Sequence, residues 1–460
     1  MKKVHLIGIC GVGMSAAALL LKEAGYTVTG SDAECYGPPA ATLKNAGIAP
    51  LLGYRPENIP EDADEIIIGR NAKLAPGENA EADAARRSGK SIKSFPEIIG
   101  ELSRGRDTLV VAGSYGKSST TALVAHILRS SGVEAGYFVG AVPAAMPPAM
   151  LGSALFVAEG DEYPTAHDDA RPKFMHLHPR DVILTSVVHD HVNVYPTQAS
   201  YEKPFAELLA SVPNDGIVVC ATEPNALRLA KASGKAVVSY GIENGDFHAE
   251  QVRFGERTTF TLVRDGVAVA ELSTAELGRH AVENIVGAAA YLLSRDIVPV
   301  NDLQKAVASF GGVLRRLNNL LPDSRVPVYE GFGSSYEKAR SAIEAMLLRF
   351  PDRPLVVVFE PHTFGWRNRA NLAWYDDVFK GIACVYVAPP EKQGAGTHEQ
   401  LSHEEILERA AGMVNARPYE SPAQVSGALK ESDVVLVLTS GDLHGTLKEL
   451  ADTIQNRFAV

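Results

Sequence analysis

The sequence contains few cysteines and no long apolar run. Its four cysteines lie far apart and form no CxxC pair: Cys10, Cys35, Cys220 and Cys384. Four free, mostly buried thiols in a reducing compartment are therefore expected. The N-terminus runs straight into a short apolar strand, without the apolar stretch and cleavage site of a signal peptide. Because no run of about 18 apolar residues occurs either, no membrane partner is expected and a cytoplasmic protein is predicted.

Positive charge is also scarce. The chain has 44 lysines and arginines against 55 aspartates and glutamates, which gives a net charge of -11. Proteins that bind nucleic acids usually carry a basic face, so no nucleic-acid partner is expected. A phosphorylated small substrate stays possible, because local loops hold phosphate without net positive charge. The length of 460 residues suits two to four domains.

Short apolar runs recur along the chain, and each is followed by a turn and a helix-like stretch. These runs are Val4–Ile7, Glu65–Ile68, Thr108–Ala112, Leu155–Val157, Val182–Thr185, Leu355–Phe359 and Val434–Leu438. Strands that alternate with helices predict an α/β fold built on parallel sheets. Polar segments with Gly or Pro mark two boundaries, so we predict three blocks at residues 1–105, 106–320 and 321–460.

The strongest motif is a glycine-rich loop at the start of the second block. It follows the strand Thr108–Ala112 and leads into a helical stretch, Thr121–Ser130. Such a loop wraps ATP phosphates with backbone N–H groups at a helix N-terminus. Lys117 is predicted to reach the β- and γ-phosphates and Ser118 to ligate Mg²⁺. The predicted ATP-binding residues of this loop are Gly113, Ser114, Gly116, Lys117, Ser118 and Ser119.

This loop departs from the full Walker pattern in one respect. Val111 stands where the pattern has its first glycine, so the loop is one residue shorter than in most phosphate-loop NTPases. The alternative is an ordinary strand–turn–helix with a solvated lysine. The Gly-Lys-Ser sequence at the junction of strand and helix favours the phosphate site.

A second glycine loop lies at the N-terminus. Gly8, Gly11 and Gly13 follow the first strand, and the next strand, Tyr26–Thr29, leads to Asp32. This is a nucleotide-binding βαβ layout. The spacing is GxxGxG rather than GxGxxG, which weakens a dinucleotide assignment. A dehydrogenase and a glycine turn without a ligand are the alternatives here.

Acidic and histidine residues follow two further strands. An acidic run of Glu159, Asp161 and Glu162 follows one of them, and His189 and His191 follow the other. The carboxyl ends of parallel strands share one edge of a sheet, so Glu159 and His191 are predicted to meet at a cation beside the ATP phosphates. Mg²⁺ is predicted because phosphate and carboxylate oxygens are hard ligands. A zinc site formed by the histidines is the alternative, although its spacing is atypical.

Two later segments carry further candidates. His280 and Asn284 are four residues apart and share one helix face, where an Asn side chain suits an adenine edge. A plain helix start is the alternative for this segment. Arg315 and Arg316 lie at the end of the second block, near its junction with the third, where an arginine can close over a transferring phosphate. A solvated arginine pair is the alternative there.

Taken in this order, these segments resemble the Mur ligase family along essentially the whole chain. The resemblance implies an α/β fold with a Rossmann-like N-terminal domain, a central phosphate-loop ATPase domain and a Rossmann-like C-terminal domain. It implies an ATP- and Mg²⁺-dependent ligase that joins a UDP-sugar carboxylate to an amine or peptide through an acyl phosphate. A monomer or homodimer is expected.

The resemblance also implies roles for the matching residues. Gly8, Gly11, Gly13 and Asp32 hold UDP rather than NAD. Ser118, Glu159 and His191 serve the metal, and Lys117 and Arg316 offset the charge of the transferring phosphate. His280 and Asn284 contact the adenosine end.

Within the family, the chain resembles most the branch that attaches L-alanyl-γ-D-glutamyl-meso-diaminopimelate to UDP-N-acetylmuramate. The branch that attaches L-alanine is the alternative. The third block departs from both, because Gly331, Ser334 and Ser335 replace an aspartate and a histidine pair. A changed acceptor, or a regulatory relative that binds ATP without turnover, is therefore a further alternative.

Overall fold

The computed structural model describes residues 1–192, 194–390 and 399–460, which form both strands and helices. The strands are β1 (Lys3–Ile7), β2 (Thr27–Asp32), β3 (Leu51–Leu52), β4 (Glu65–Ile68), β5 (Ser91–Lys93), β6 (Asp107–Ala112), β7 (Ala135–Phe138), β8 (Ala149–Met150), β9 (Leu155–Gly160), β10 (Asp181–Leu184), β11 (Ile217–Ala221), β12 (Ala236–Tyr240), β13 (Phe247–Arg253), β14 (Thr258–Arg264), β15 (Val267–Thr274), β16 (Arg316–Asn319), β17 (Val328–Gly331), β18 (Leu355–Phe359), β19 (Cys384–Val387), β20 (Asn415–Pro418) and β21 (Val434–Leu438). The helices are α1 (Val12–Glu23), α2 (Gly37–Asn45), α3 (Ala80–Arg87), α4 (Phe95–Ser103), α5 (Lys117–Ser130), α6 (Gln198–Ser211), α7 (Pro224–Ala232), α8 (Arg279–Ser294), α9 (Val300–Ser309), α10 (Tyr336–Arg349), α11 (Phe364–Arg367), α12 (His403–Ala411), α13 (Pro422–Ala428) and α14 (Leu447–Phe458). The predicted α/β fold is confirmed.

The first sheet is parallel, in the strand order β3-β2-β1-β4-β5 among the described residues. The strand order reverses beside β1, which pairs with β2 on one side and with β4 on the other. In open α/β sheets, ligands bind at such a switch point, outside the carboxyl ends of the strands. The glycine loop between β1 and α1 lies at this point.

The second sheet has the order β15-β14-β13-β12-β11-β10-β6-β9-β7-β8 in the part of the chain that the structure describes. Strand β6 pairs in parallel with β10 on one side and with β9 on the other. Its residues Leu109–Ala112 are fully buried, as expected of a central strand covered on both faces. The carboxyl ends of β9, β6 and β10 are therefore neighbours. This places Glu159, the phosphate loop and the segment that carries His189 and His191 side by side.

The third sheet has the order β16-β17-β21-β18-β19-β20 within the described ranges. Strand β16 is antiparallel to β17. The other neighbouring pairs, β17 with β21, β21 with β18, β18 with β19 and β19 with β20, are parallel. The carboxyl ends of β17, β18 and β21 again meet at one edge. Strand β16 begins at Arg316, upstream of the boundary predicted near residue 320.

The described chain divides into two compact units. The first comprises Met1–Val252, Phe260–Thr274 and Val282–Val313, and the second comprises Arg253–Thr259, Ala275–Ala281 and Leu314–Val460. The predicted division at residues 1–105, 106–320 and 321–460 stays a prediction. Among the residues described, no helix is both long enough and apolar enough to cross a membrane.

Candidate functional site

The phosphate loop has a backbone that requires glycine at two positions. Gly113 has φ 143° and Gly116 has φ 82°, both in the region that side chains rarely adopt. A Cβ on Gly113 would lie 2.2 Å from Thr185 Oγ1, and a Cβ on Gly116 would lie 2.7 Å from Asn284 Oδ1. Gly116 is also the N-cap residue of α5. The loop therefore presents backbone at the N-terminus of a helix, as a phosphate site requires.

Lys117 lies inside this loop, with 13% of its side chain exposed. Its Nζ donates to the carbonyl oxygen of Gly113 at 2.6 Å and forms an ion pair with Glu162 Oε2 at 2.9 Å. Burial opposes the charged form, but the carboxylates of Glu162, Asp161 and Glu159 outweigh it and raise the pKa of Lys117. The lysine is therefore a fixed positive charge at the loop.

Glu162 is the residue that the sequence prediction missed. It is fully buried, and its carboxylate also contacts His191 Nε2 at 3.2 Å and the Tyr201 hydroxyl at 3.2 Å. Burial opposes ionisation, but Lys117 and His191 outweigh it and lower the pKa of Glu162. The sequence signal that identifies this residue is the acidic run of Glu159, Asp161 and Glu162 at the end of β9.

Glu159 and Ser118 form the second half of the site. The Ser118 hydroxyl donates to Glu159 Oε1 at 3.0 Å, and the backbone N–H of Gly140 donates to Oε2 at 2.7 Å. Burial raises the pKa of Glu159, although Lys117 opposes this shift. A carboxylate and a hydroxyl are hard oxygen donors, so this pair fits Mg²⁺, which would also stabilise the buried charge.

His191 has a strained backbone, with φ 54°. Its ring contacts Glu162 and Asp190, and the predicted meeting with Glu159 at a cation stays a prediction. His189 Nε2 contacts the carbonyl oxygen of Tyr195 at 2.6 Å. Within the described residues, no group of three or more His, Cys, Asp or Glu side chains is arranged to hold a metal.

The remaining predicted ATP residues are divided between the two units. In the first unit, Ser114 Oγ donates to the carbonyl oxygen of Val188 at 2.6 Å, Ser119 is half-buried in the first turn of α5, and Asn284 touches the loop beside Gly116. In the second unit, His280 Nδ1 lies 3.0 Å from the Ser341 hydroxyl, and burial together with the charge of Arg316 lowers the pKa of His280 to about 4. The Arg316 guanidinium lies 5.6 Å from the centre of the Phe332 ring.

The N-terminal glycine loop is tied to the end of β2. Asp32 accepts hydrogen bonds from the backbone N–H of Cys10 at 2.8 Å and from the Tyr54 hydroxyl at 2.7 Å. Burial and the Asp32 carboxylate raise the pKa of Tyr54. Gly8 has φ 87°, where a Cβ would lie 2.8 Å from Leu74 Cδ1. Asp32 therefore orders the loop through its backbone.

The expectation of four free thiols is wrong for Cys10 and Cys35, which form a disulfide with a Cα separation of 5.4 Å. They are 25 residues apart in sequence, but Cys10 follows β1 and Cys35 follows β2, and these two strands are neighbours. Pairing of the strands therefore brings the two cysteines together. Cys220 and Cys384 are free and buried, as expected.

The first unit contains a cavity of about 300 Å³. Its lining includes Gly8, Gly11 and Gly13 of the N-terminal loop together with Glu159 and Asp161. The predicted substrate loop and the predicted metal carboxylate thus face one space, which a ligand of moderate size can span.

In the second unit, the residues that replace the expected aspartate and histidine pair have structural contacts. The Ser335 side chain caps α10 through the backbone N–H of Lys338, and the carbonyl oxygen of Ser334 accepts from the Thr363 hydroxyl at 2.8 Å. A Cβ on Gly331 would lie 3.0 Å from the side chain of Leu438. These positions present no charged group.

Other residues supply charge at the same sheet edge. Arg315 Nε donates to Glu330 Oε1 at 2.7 Å. The buried Glu360 accepts from the Thr439 hydroxyl and from the backbone N–H of Leu443, and its carboxylate lies 3.7 Å from His362 Nδ1. This edge of the third sheet therefore carries charged groups, but in an arrangement that the sequence motif did not predict.

Known proteins match this chain over its whole length. Residues 3–107 match the catalytic domain of the Mur ligase family, and residues 111–292 match the Mur ligase middle domain. A UDP-N-acetylmuramate–L-alanine ligase of Chlorobium phaeobacteroides is 30% identical over 468 residues, covering 98% of this chain and 97% of that protein. A UDP-N-acetylmuramate–L-alanyl-γ-D-glutamyl-meso-2,6-diaminoheptandioate ligase of Haemophilus influenzae is 26% identical over 473 residues, covering 99% and 100%.

A solved structure has the same fold. The UDP-N-acetylmuramate–alanine ligase of Thermotoga maritima matches with a TM-score of 0.81 at 22% identity, covering 99% of this chain and 100% of that chain. Relatives of both the tripeptide and the L-alanine branch match, so the expected preference for the tripeptide branch is not distinguished from its alternative. The two domain matches and the 30% identity along nearly the full length show that the chain belongs to the Mur ligase family, whose members are ATP-dependent ligases that form amide bonds.

Proposed function

We propose that this chain joins the carboxylate of UDP-N-acetylmuramate to the amine of an amino acid or peptide, with ATP as the energy source. The observation that carries the proposal is the single cavity lined by the N-terminal glycine loop and by Glu159, whose carboxylate binds Ser118 of the phosphate loop. A substrate held by its nucleotide at the glycine loop can extend its sugar acid toward the phosphate site. The ligases of Chlorobium phaeobacteroides and Haemophilus influenzae described above are both named for UDP-N-acetylmuramate.

The residues have the roles that an acyl phosphate reaction requires. The sugar carboxylate attacks the γ-phosphorus, ADP leaves, and the amine then displaces phosphate from the acyl carbon. Lys117 offsets the charge on the transferring phosphate, and the backbone of Gly113–Gly116 holds the phosphates. Ser118 and Glu159, with His191, are the proposed holders of Mg²⁺, which when bound supplies further positive charge at the phosphate oxygens. Arg316 is proposed to contact the γ-phosphate, and His280 and Asn284 are proposed to contact the adenosine end.

The acceptor depends on residues of the third block that differ from the family pattern. Replacing an aspartate and two histidines with Gly331, Ser334 and Ser335 removes charge-assisted hydrogen bonds worth roughly 1.5–3 kcal/mol each. Losing two of them would weaken an acceptor by about two to four orders of magnitude unless other groups compensate. We therefore propose poor use of L-alanine and of the diaminopimelate tripeptide, with a different amine preferred.

The test is steady-state phosphate release with UDP-N-acetylmuramate, ATP and Mg²⁺, using L-alanine, the tripeptide and a panel of other amines. Mass spectrometry of the product identifies the new amide. Efficient use of the tripeptide would refute the changed acceptor while supporting the ligase. If ATP and UDP-N-acetylmuramate both bind and no amine is consumed, a regulatory role replaces the ligase.

The metal has its own test. Activity should require Mg²⁺ or Mn²⁺ and persist under zinc-selective chelation, and Glu159→Ala and His191→Ala should each be strongly impaired. Stoichiometric zinc in the purified protein would overturn the assignment. A cytoplasmic location and a monomer or homodimer complete the proposal, and fractionation and sedimentation test them.

A further inference from the structure

Arg70 lies in the cavity of the first unit and has no role in the chemistry described above. It follows β4, one residue beyond Gly69, whose backbone N–H donates to the carbonyl oxygen of Ile7 at 2.9 Å. Arg70 lines the cavity together with the glycine loop and Glu159. A guanidinium in such a place either balances a protein carboxylate or is available to a ligand.

The contacts of Arg70 favour the ligand. Its Nε donates to the carbonyl oxygen of Ala166 at 3.2 Å, and its guanidinium stacks 4.7 Å from the centre of the Tyr163 ring. Within the described ranges, neither terminal nitrogen of Arg70 has a hydrogen-bond partner and no carboxylate pairs with it. The contacts that are made fix the plane of the guanidinium and leave its two-nitrogen fork for an anion.

The other charged side chains considered in the cavity have partners within the protein. Lys173 Nζ pairs with Asp161 at 2.5 Å, and Glu159 accepts from Ser118 and Gly140. Arg70 is thus the cavity cation whose charge no described carboxylate balances.

The start of α1, which follows the glycine loop of the cavity lining, also favours an anion. Helix α1 begins after Gly11 with no side-chain hydrogen bond at its N-cap and no acidic residue in its first turn. Its first backbone N–H groups and its dipole therefore favour negative charge at the glycine loop. Two independent elements of the first unit, the segment after β4 and the start of α1, present positive potential to one space.

We propose that Arg70 binds an oxyanion of the UDP-sugar acid through its terminal nitrogens, and that Ala166 and Tyr163 hold the guanidinium in place. This inference rests on the proposed function. The bidentate fork of arginine matches phosphate and carboxylate alike. The oxyanion is therefore either the diphosphate of UDP or the carboxylate of the sugar acid, and a choice of ligands separates the two.

The experiment measures the affinity of the full chain for UDP, UDP-N-acetylglucosamine and UDP-N-acetylmuramate by calorimetry. The variants are Arg70→Gln and Arg70→Lys, and the matched control is Arg87→Gln, an exposed arginine at the end of α3 outside the cavity. Arg70→Gln should weaken binding by about 10- to 100-fold, and Arg70→Lys by less, because the charge remains without the fork. Arg87→Gln should bind as the wild type does.

The pattern across ligands identifies the oxyanion. Equal weakening for all three ligands assigns Arg70 to the diphosphate, and weakening for UDP-N-acetylmuramate alone assigns it to the carboxylate. ATP affinity and the circular dichroism spectrum of Arg70→Gln should be unchanged, which excludes a general loss of folding.

Two results would overturn the inference in different ways. If Arg70→Gln binds all three ligands within about twofold of wild type, Arg70 has no ligand role, and the proposed function is unaffected. If the wild-type chain binds none of the three ligands, the proposed function fails, and the assignment of Arg70 fails with it.

Discussion

Glu162→Gln should destabilise the first unit strongly, because Glu162 balances Lys117 in a buried site. At the 2.9 Å separation of this ion pair, two unit charges attract by about 6 kcal/mol at an effective dielectric constant of about 20. The amide keeps the shape and some of the hydrogen bonding but removes the charge. Breaking one side of a buried pair costs about 3–5 kcal/mol. Asp161 and Glu159 remain near Lys117, so we expect the lower end, about 3 kcal/mol.

Thermal unfolding followed by circular dichroism measures this effect, and we expect a midpoint lowered by about 5–10 °C. Trp366 and Trp374 both lie in the second unit, so tryptophan fluorescence should change less and serves as an internal reference. The matched control is Glu207→Gln on α6, which breaks the exposed pair with Lys203 at 3.9 Å. An exposed pair of this kind is worth less than about 1 kcal/mol, so this control should unfold near the wild-type temperature.

A double variant tests whether the effect belongs to the pair. Lys117→Met alone leaves the Glu162 carboxylate buried without its main partner, so adding Glu162→Gln should restore stability rather than reduce it further. The reasoning is refuted if the two substitutions are additive. It is also refuted if Glu162→Gln unfolds within about 1 °C of the wild type.

Three further outcomes are expected. Lys117→Ala should abolish ATP-dependent phosphate release while circular dichroism still reports a folded chain, and near-normal turnover would contradict the phosphate-loop assignment. Glu360→Gln should lower the stability of the second unit by about 2 kcal/mol at neutral pH. Burial opposes ionisation of Glu360, but the neighbouring His362 and the hydrogen bonds from Thr439 and Leu443 lower its pKa to about 2 from 4.5. This stabilisation is therefore present above pH 4.5 and is lost as the pH falls toward 2. Unfolding followed by tryptophan fluorescence should show that the difference in stability between wild type and variant shrinks over that pH range. A constant difference would contradict the assignment. Alkylation of the denatured chain should modify two thiols without reductant and four with it, and four in both cases would exclude the disulfide of Cys10 and Cys35.

The strands were predictable from the sequence because each is a short apolar run bounded by polar or glycine-containing turns. The predicted bounds of β4, β18 and β21 coincide with those in the structure. The helix after the phosphate loop begins at Lys117, four residues before its predicted start, because the loop itself supplies the first turn. Membership of the Mur ligase family and dependence on ATP were also predicted, and the two domain matches and the 30% identical relative confirm them.

Pairs between distant segments were not predictable in the same way. Apolar periodicity identifies a strand but gives no order of strands in the sheet, and the disulfide of Cys10 and Cys35 depends on β1 pairing with β2. The third sheet likewise takes in β16, whose residues Arg316–Asn319 are polar or half-buried and lack the apolar run of a central strand. Both features follow from tertiary pairing, which no local pattern carries.

The contrast between Glu159 and Glu162 shows where reasoning from the sheet edge ends. Both carboxylates belong to the acidic run at the end of β9, and strand order alone places both beside the phosphate loop. Glu159 faces Ser118 and Gly140 along the cavity, whereas Glu162 is fully buried behind it against Lys117, His191 and Tyr201. The buried carboxylate of Glu162 pairs with Lys117 and so holds the lysine in place before a nucleotide binds. The carboxylate of Glu159 lies on the cavity wall, where it is accessible to a cation. The two carboxylates thus differ in the side of the loop that each faces. For this reason a charge-neutral amide at Glu162 should affect stability first, whereas loss of Glu159 should affect binding of the proposed Mg²⁺.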